Sequence, residues 1–203
     1  MYINKNNRQE DPAEIEEFVT QNGFAILVSQ VDGRPWATHI PLMLSHNDEE
    51  QPILSGHVSK VNGQWKNIEG QEVLVIFSGP HTYISSSWYD HENVPTWNYT
   101  AVHAYGRARL VTGDELAQAL AKLTDHYEQQ SEKPVSVEGM SPGYFDSQVR
   151  GLVGFEIAVT QFQAVRKLSQ NRDDVNHARI VDELEKRGDA QSVAIAEEMK
   201  TRK

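Results

Sequence analysis

Asn98-Tyr99-Thr100-Ala101-Val102-His103-Ala104-Tyr105-Gly106-Arg107-Ala108-Arg109-Leu110-Val111 is the longest strand-like stretch of the chain. Val102, Ala104, Gly106, Ala108 and Leu110 are small or apolar, while the intervening His103, Tyr105, Arg107 and Arg109 are polar or basic. Successive side chains of a strand point to opposite faces. One face therefore belongs to a core, and the other meets solvent, a ligand or a second subunit.

Working outward, Phe24–Gln30 and Trp36–Leu44 read as strands joined by an Asp32-Gly33 hairpin turn. A polar loop, Ser45–Gln51, leads to a short strand, Ile53–Val58. Glu72–Phe77 and Thr82–Ser86 read as two strands, and Val153–Val159 and Gln161–Leu168 as two more around a turn at Thr160. Ser59–Glu69 is too polar and Gly-interrupted for a core strand and reads as a turn or one short helix. Asp11-Pro12-Ala13-Glu14 has the cap, first-turn proline and reaching acid of a helix start, and Asn22-Gly23 ends that helix. Further helices are expected from Gly113 to about Gln130, with Leu116, Leu120, Leu123 and Tyr127 on one stripe, and from Pro142 to Leu152. Asp174–Arg187 and Ala190–Thr201 close the chain as charged helices. About seven strands with short connections, helices at the ends and one long insertion give an antiparallel barrel of α+β type.

With 203 residues, the chain has room for one ordinary domain, or for a compact domain with an appendage. Nineteen Lys and Arg against 29 Asp and Glu leave a formal charge of -10, which disfavours nonspecific binding to nucleic acid or anionic lipid. The absence of cysteine excludes disulfides, thiolate metal sites and a Cys nucleophile. No apolar run reaches the ~20 residues that span a bilayer. Met1–Asp11 lacks the basic-then-apolar pattern of a secretion signal, so a cytoplasmic protein is expected, with no membrane partner. Eight histidines invite a metal, yet His39, His57, His81, His91, His103 and His126 show no ligand spacing, and no metal site is expected. There is no Gly-x-Ser-x-Gly elbow, P-loop or Gly-x-Gly-x-x-Gly. The catalytic residues, if any, are unknown at this level.

Three stretches carry chemistry. Gly56-His57-Val58-Ser59-Lys60-Val61-Asn62-Gly63-Gln64-Trp65-Lys66 has two lysines, a histidine, no acid and several amide or hydroxyl donors directly after a strand. A strand end entering a short helix exposes N–H groups suited to an anion, although a solvated connection anchored by Trp65 also accounts for it. Arg166-Lys167-Leu168-Ser169-Gln170-Asn171-Arg172 is basic in an acidic chain, and an ordinary basic strand exit before Asp173-Asp174 is its plain alternative. Trp88, Tyr89, Trp97 and Tyr99 are costly to leave in water; core filling accounts for one or two, and all four together suggest an interface or a pocket.

These residues resemble the PaiB-type FMN-binding negative transcriptional regulators, whose split-barrel flavin-binding fold is related to pyridoxamine phosphate oxidases. The matching segments are Met1-Tyr2-Ile3, Ala37-Thr38-His39-Ile40-Pro41-Leu42, Gly56-His57 with Gln64-Trp65, Gly79-Pro80-His81-Thr82-Tyr83-Ile84-Ser85 and Ser87-Trp88-Tyr89. Val94-Pro95-Thr96-Trp97-Asn98-Tyr99, Val102-His103-Ala104-Tyr105-Gly106, Gly154-Phe155-Glu156-Ile157 and Lys167-Leu168-Ser169-Gln170-Asn171-Arg172 continue the match in order. Gly63 and Ser86 stand where that family commonly has Pro, which loosens two loops without removing a donor.

The resemblance implies an α+β split barrel of about six to eight antiparallel strands with peripheral helices. Its domain layout would be a flavin-binding barrel over residues 1–172 with a helical insertion near 113–152, and a helical appendage over 173–203. It further implies a homodimer with FMN in the groove between protomers. His57, Lys60, Asn62 and Gln64 are then assigned to the phosphate, Thr38 and His39 to the ring edge. Trp97 and Asn98 would come from the facing protomer, with Lys167, Gln170 and Asn171 closing over ring or phosphate. Alternation puts Thr38 and His39 on opposite faces, so one of them touches the ring directly.

The leading expectation is a dimeric FMN-binding regulatory protein. Direct DNA contact is doubtful, since there is no separate helix-turn-helix domain and the stretch Asp173–Lys203 holds more acids than bases. The competing readings are a flavin-dependent oxidoreductase and a haem-binding or haem-degrading protein, with His39, His81, His91 or His103 as a conceivable axial ligand.

Overall fold

The computed structural model describes residues 1–141 and 143–201. Its strands are β1 (Arg8–Gln9), β2 (Phe24–Val31), β3 (Arg34–Pro41), β4 (Met43–His46), β5 (Pro52–Ser59), β6 (Glu72–Ile84), β7 (Thr96–Val111) and β8 (Leu152–Lys167). The helices are α1 (Pro12–Gln21), α2 (Gly113–Glu128), α3 (Tyr144–Val149), α4 (Asp174–Arg187) and α5 (Ala190–Thr201). Seven strands form one open antiparallel sheet in the order β3-β2-β6-β7-β8-β5-β4, and β1 adds to β8. The α+β class expected from the sequence is the class observed.

Local chemistry explains most boundaries. The β2–β3 hairpin turns at Asp32 and Gly33, both at positive φ (50° and 75°), with Val31 paired to Arg34. Two successive left-handed residues form the turn whose twist matches the flanking strands. Asp11 caps α1 by accepting from the Ala13 N–H at 2.9 Å, as its place before Pro12 predicts. Asp173 does the same for α4 through the Asn176 N–H, and Gly188 at φ 69° closes that helix.

Several expectations are corrected, the simplest being that Trp36–Leu44 is divided between β3 and β4. Glu72–Phe77 and Thr82–Ser86 are not separate: β6 runs unbroken through Gly79 and Pro80. Val153–Val159 and Gln161–Leu168 are likewise one strand, and Thr160 lies within it, donating from its hydroxyl to the Tyr105 carbonyl at 3.2 Å. Gly and Pro punctuate a chain only where its neighbours leave the backbone free to turn. Here Gly79 is needed as glycine, because a Cβ would meet the Thr100 hydroxyl at 2.3 Å and the Phe18 ring at 2.7 Å. The helix expected over Pro142–Leu152 is shorter, α3, and its expected first residue lies outside the described residues, as do the last two of the C-terminal segment.

The chain divides into two compact units. The first comprises Met1–Phe18, Phe77–His103 and the chain from Gln163 onward. Its core gathers Ile84, Tyr89 and Leu168 with Ile180, Val181 and Leu184 of α4 and Ile195, Ala196 and Met199 of α5. The second unit comprises Val19–Ile76 and Ala104–Phe162. There the first half of the stripe expected on α2 is buried, with Leu116 and Leu120 against Val111, Phe145, Val149 and Leu152, whereas Leu123 is half-buried and Tyr127 is exposed.

Within β7 the alternation is as read: Val102, Ala104, Gly106 and Ala108 are buried, and Arg107 and Arg109 are exposed. The phase slips at the end, where Leu110 is half-exposed and Val111 is buried.

Candidate functional site

The second unit holds a hydrogen-bonded polar knot at the end of β5. After Ser59 the chain tightens: the Asn62 N–H donates to the Ser59 carbonyl at 2.9 Å, and the Asn62 side chain caps a short 3-10 helix, Gly63–Asn67, by accepting from the Gln64 N–H at 3.1 Å. Thr38 on β3 joins this turn. Its hydroxyl donates to Gln64 Oε1 at 2.6 Å and accepts from Asn62 Nδ2 at 2.9 Å. Gln64 is only 1% exposed, and its Nε2 donates to Ser29 Oγ (2.9 Å) and to the carbonyls of Leu27 and Trp36. A buried amide with both ends paired stabilises; the same amide with one partner removed costs free energy.

The knot separates holding residues from presenting ones. Thr38, Asn62 and Gln64 come together, and Gln64 is spent inside, fixing the turn. Lys60 is exposed beside it; its Nζ donates to the Arg150 carbonyl, and its N–H donates to the Gly151 carbonyl at 2.9 Å. Lys66 and Arg150 are exposed as well, so the turn offers cations and no acid between Gly56 and Ile68.

His57 is elsewhere. It lines a narrow gap with Met43, Ser55, Leu116, Leu120 and Leu123, and burial pushes its pKa below the usual 6.5. Burial there disfavours the charged ring, so His57 is a poor source of positive charge for an anion.

His39 faces away from Thr38, as alternation requires. Its ring stacks on Phe24, with centroids 6.2 Å and planes 29° apart. Cross-strand pairing puts Ile26 beside His39 and Ile76, and Val28 beside Ala37 and Leu74. The same face therefore carries Phe24, Ile26, Val28, Leu74 and Ile76, of which Phe24 is 67% exposed and the others half-exposed. Sequence reasoning passed over this strip. The signal was present in Phe24-Ala25-Ile26-Leu27-Val28, a strand apolar on both faces, which implies a cover on both.

In the first unit, Trp97 is 53% exposed and stands against Tyr83 (5.9 Å, edge-on) and His81 (6.3 Å). Asn98 is fully buried; its side-chain Oδ1 accepts from Ser169 Oγ at 3.0 Å and its Nδ2 points at Met199 Sδ. Gln170 braces its own loop, accepting from the Leu168 N–H at 2.7 Å and donating to the Arg166 carbonyl at 2.6 Å. Lys167 donates to Thr96 Oγ1, and Asn171 is exposed. Trp97, Lys167 and Asn171 are presented, whereas Asn98 and Gln170 hold the backbone that presents them. Tyr89 is core, beneath the Arg172 guanidinium at 5.0 Å, and Trp88 is covered by Arg187 at 4.9 Å.

Arg107 and Arg109 are both engaged. Arg109 binds Glu115 and Glu156, and Arg107 donates to the Gly70 carbonyl at 3.0 Å. Among the described residues no cluster of three or more His, Asp or Glu could hold a metal ion, and no helix is long and apolar enough to cross a membrane.

Comparison with known proteins adds a lineage to this geometry. The family described as "Putative FMN-binding domain" matches residues 1–161. The chain is 42% identical over 200 residues to "Protease synthase and sporulation protein PAI 2" of Bacillus subtilis, covering 98% of this chain and 96% of that one. Among solved structures, the flavocytochrome Anf3 of Azotobacter vinelandii superposes with a TM-score of 0.60 at 15% identity, over 87% of this chain and 78% of that one. The FAD and heme binding protein of Mycobacterium smegmatis gives 0.59 at 12% identity, over 79% and 73%. At such identities these two show the split-barrel fold alone.

Proposed function

The chain belongs to the FMN-binding-domain family, as a PaiB-like flavin-binding protein, and from that premise we propose that it is a homodimer that binds FMN in the groove between protomers and acts as a regulator. The observation that carries this reading is the turn after β5, where Thr38, Asn62 and Gln64 lock one another and Lys60 and Lys66 are left facing outward.

FMN has a flat ring, a polyol and a phosphate of nearly two negative charges, so it needs fixed donors at one end and an apolar wall at the other. The residues present fit it. Lys60, Asn62 and the backbone of the Gly63–Asn67 turn hold the phosphate, with Gln64 positioning them. His39 and the strip around Phe24 and Ile26 supply a wall for the ring. When bound, the flavin supplies one- and two-electron redox chemistry; the chain orients it and shields its face from water.

The regulatory part of the reading favours an indirect effect on gene expression. The Bacillus relative is named for protease synthesis and sporulation, and that name supports the regulatory part of the reading. In this chain, Arg109 is neutralised by Glu115 and Glu156 and Arg107 is tied to the Gly70 carbonyl, while the α4–α5 pair exposes Asp182, Glu185 and Glu197 among its lysines. Neither feature provides the basic face that DNA binding requires.

The test is the visible spectrum of freshly purified protein, followed by release and identification of the chromophore and by sedimentation. Released FMN from a dimer supports the reading. A colourless monomer that ignores added FMN, or a haem spectrum in place of a flavin one, overturns it. A mobility-shift titration settles the indirect route: tight, sequence-selective DNA binding at physiological salt would refute it.

A further inference from the structure

The first unit contains a cavity of about 220 Å³ whose lining, apart from Gln170, the flavin reading does not use. Its walls include Arg8 from β1, Arg166 and Leu168 at the end of β8, Gln170 from the following loop, His177 from α4 and Met199 from α5. Three of these groups are cationic or imidazole, two are apolar, and no carboxylate is in the lining. The counter-charges, Glu10, Glu14 and Glu198, stand against the arginines but outside the lining, so the wall itself presents donors.

The cations are held in place but not used up. Arg166, whose side chain is 13% exposed, donates to Glu14 through Nη1, and its Nε lies 3.9 Å from Glu198. A guanidinium has five N–H donors in a rigid fork, so such pairing fixes the fork and leaves donors to present. Arg8 is 54% exposed at its side chain, with Nη1 3.4 Å from Glu10, a weak surface contact. By contrast, two amides of the lining, Gln170 and Gln9, are committed. Gln170 is closed on its own loop, and Gln9 donates to Glu14 while accepting from the Glu10 and Asp11 N–H groups.

Size decides the class of occupant. Pockets for drug-sized ligands run about 300–1,000 Å³, so this one is too small for a whole flavin. Leu168 and Met199 offer apolar wall to a short hydrocarbon body, and the two arginines face its charged end. We propose that the cavity binds a small aliphatic carboxylate, head to Arg8 and Arg166 and tail to Leu168 and Met199, as a site separate from the flavin's.

Calorimetric titration of the full-length protein with butyrate, acetate, butyramide, n-butylamine and inorganic phosphate tests it. Butyrate should bind saturably and more tightly than acetate or phosphate, with no binding of the amide or amine. Arg8→Gln, at an exposed position, should weaken butyrate at least about tenfold, the worth of one charge-assisted hydrogen bond, without moving the thermal midpoint or the FMN content. Absence of saturable butyrate binding overturns the proposal, as does an unchanged affinity in Arg8→Gln. Phosphate binding tighter than butyrate overturns the carboxylate assignment. Because FMN content is read separately, none of these outcomes depends on the flavin reading.

Discussion

Thr38 concentrates the residue-scale argument, because one hydroxyl serves Gln64 as donor and Asn62 as acceptor. Thr38→Val keeps the shape and strips the hydroxyl, leaving a buried Gln64 carbonyl and an Asn62 amide short of partners. The expected cost is about 1–3 kcal/mol in urea unfolding, with weaker FMN binding in a fluorescence titration as the turn loosens. Thr38→Ser should restore most of both; an unchanged midpoint in Thr38→Val would remove the knot from the argument. A second prediction concerns pH. Burial lowers the pKa of His57, and that of His103, below 6.5, so the unfolded chain takes up protons that the folded imidazoles refuse. These groups cost nothing above pH 6.5, and stability falls as pH drops through the window between that value and the folded pKa. His57→Gln should flatten this slope in thermal melts between neutral and mildly acid pH, and a slope of the opposite sign would contradict the burial. At this scale the sequence was partly legible. Thr38, Asn62 and Gln64 were all singled out, but nothing in their spacing tells that Gln64 turns inward while Lys60 stays out. That distinction is made by Leu27, Ser29 and Trp36, which lie far off in the chain.

Elements were read well where the signal is local and poorly where it is not. The Asp32-Gly33 hairpin, the α1 cap at Asp11 and the Leu116–Leu120 half of the α2 stripe are each settled within a few residues, and each is present. Continuity of β6 and β8 is different, since whether Gly79-Pro80 or Thr160 breaks a strand depends on distant contacts: Phe18 and Thr100 against Gly79, and the Tyr105 carbonyl bonded to Thr160. Gly106 shows the same dependence in energetic form. Its missing side chain lets β7 lie against β8, where a Cβ would meet the Ala158 carbonyl oxygen at 2.4 Å and carbon at 2.9 Å. Backbone atoms in a ladder cannot step aside as a flexible side chain can. Gly106→Ala is therefore expected to cost about 1–3 kcal/mol by chemical denaturation, even though alanine has the better intrinsic preference for an ordered backbone. A neutral or stabilising result would mean that the two strands separate more freely than this spacing allows.

At the scale of the whole molecule, charge and apolar surface pull in opposite directions. Each copy carries a formal charge of -10, so two copies repel at a distance, and any stable pairing must use a face on which apolar burial outweighs that repulsion. The strip of Phe24, Ile26, Val28, Leu74 and Ile76 is such a face, uncharged and carried on rigid strands, and His39 stacks at its edge. Burying each of these side chains fully is worth about 1.5–3 kcal/mol, so several together can offset a screened repulsion spread over the surface. On the proposed reading, this is where the second copy and the flavin ring meet. Ile26→Lys places a cation at the centre of the strip without touching the knot at Thr38. It should convert the dimer to a monomer in sedimentation velocity and release FMN, while the thermal unfolding of the monomer remains cooperative. Raised salt should tighten pairing in the unmodified protein, because it screens the repulsion and leaves the apolar term intact. A dimer that survives Ile26→Lys with its flavin in place would move the interface to another face, and the ring with it.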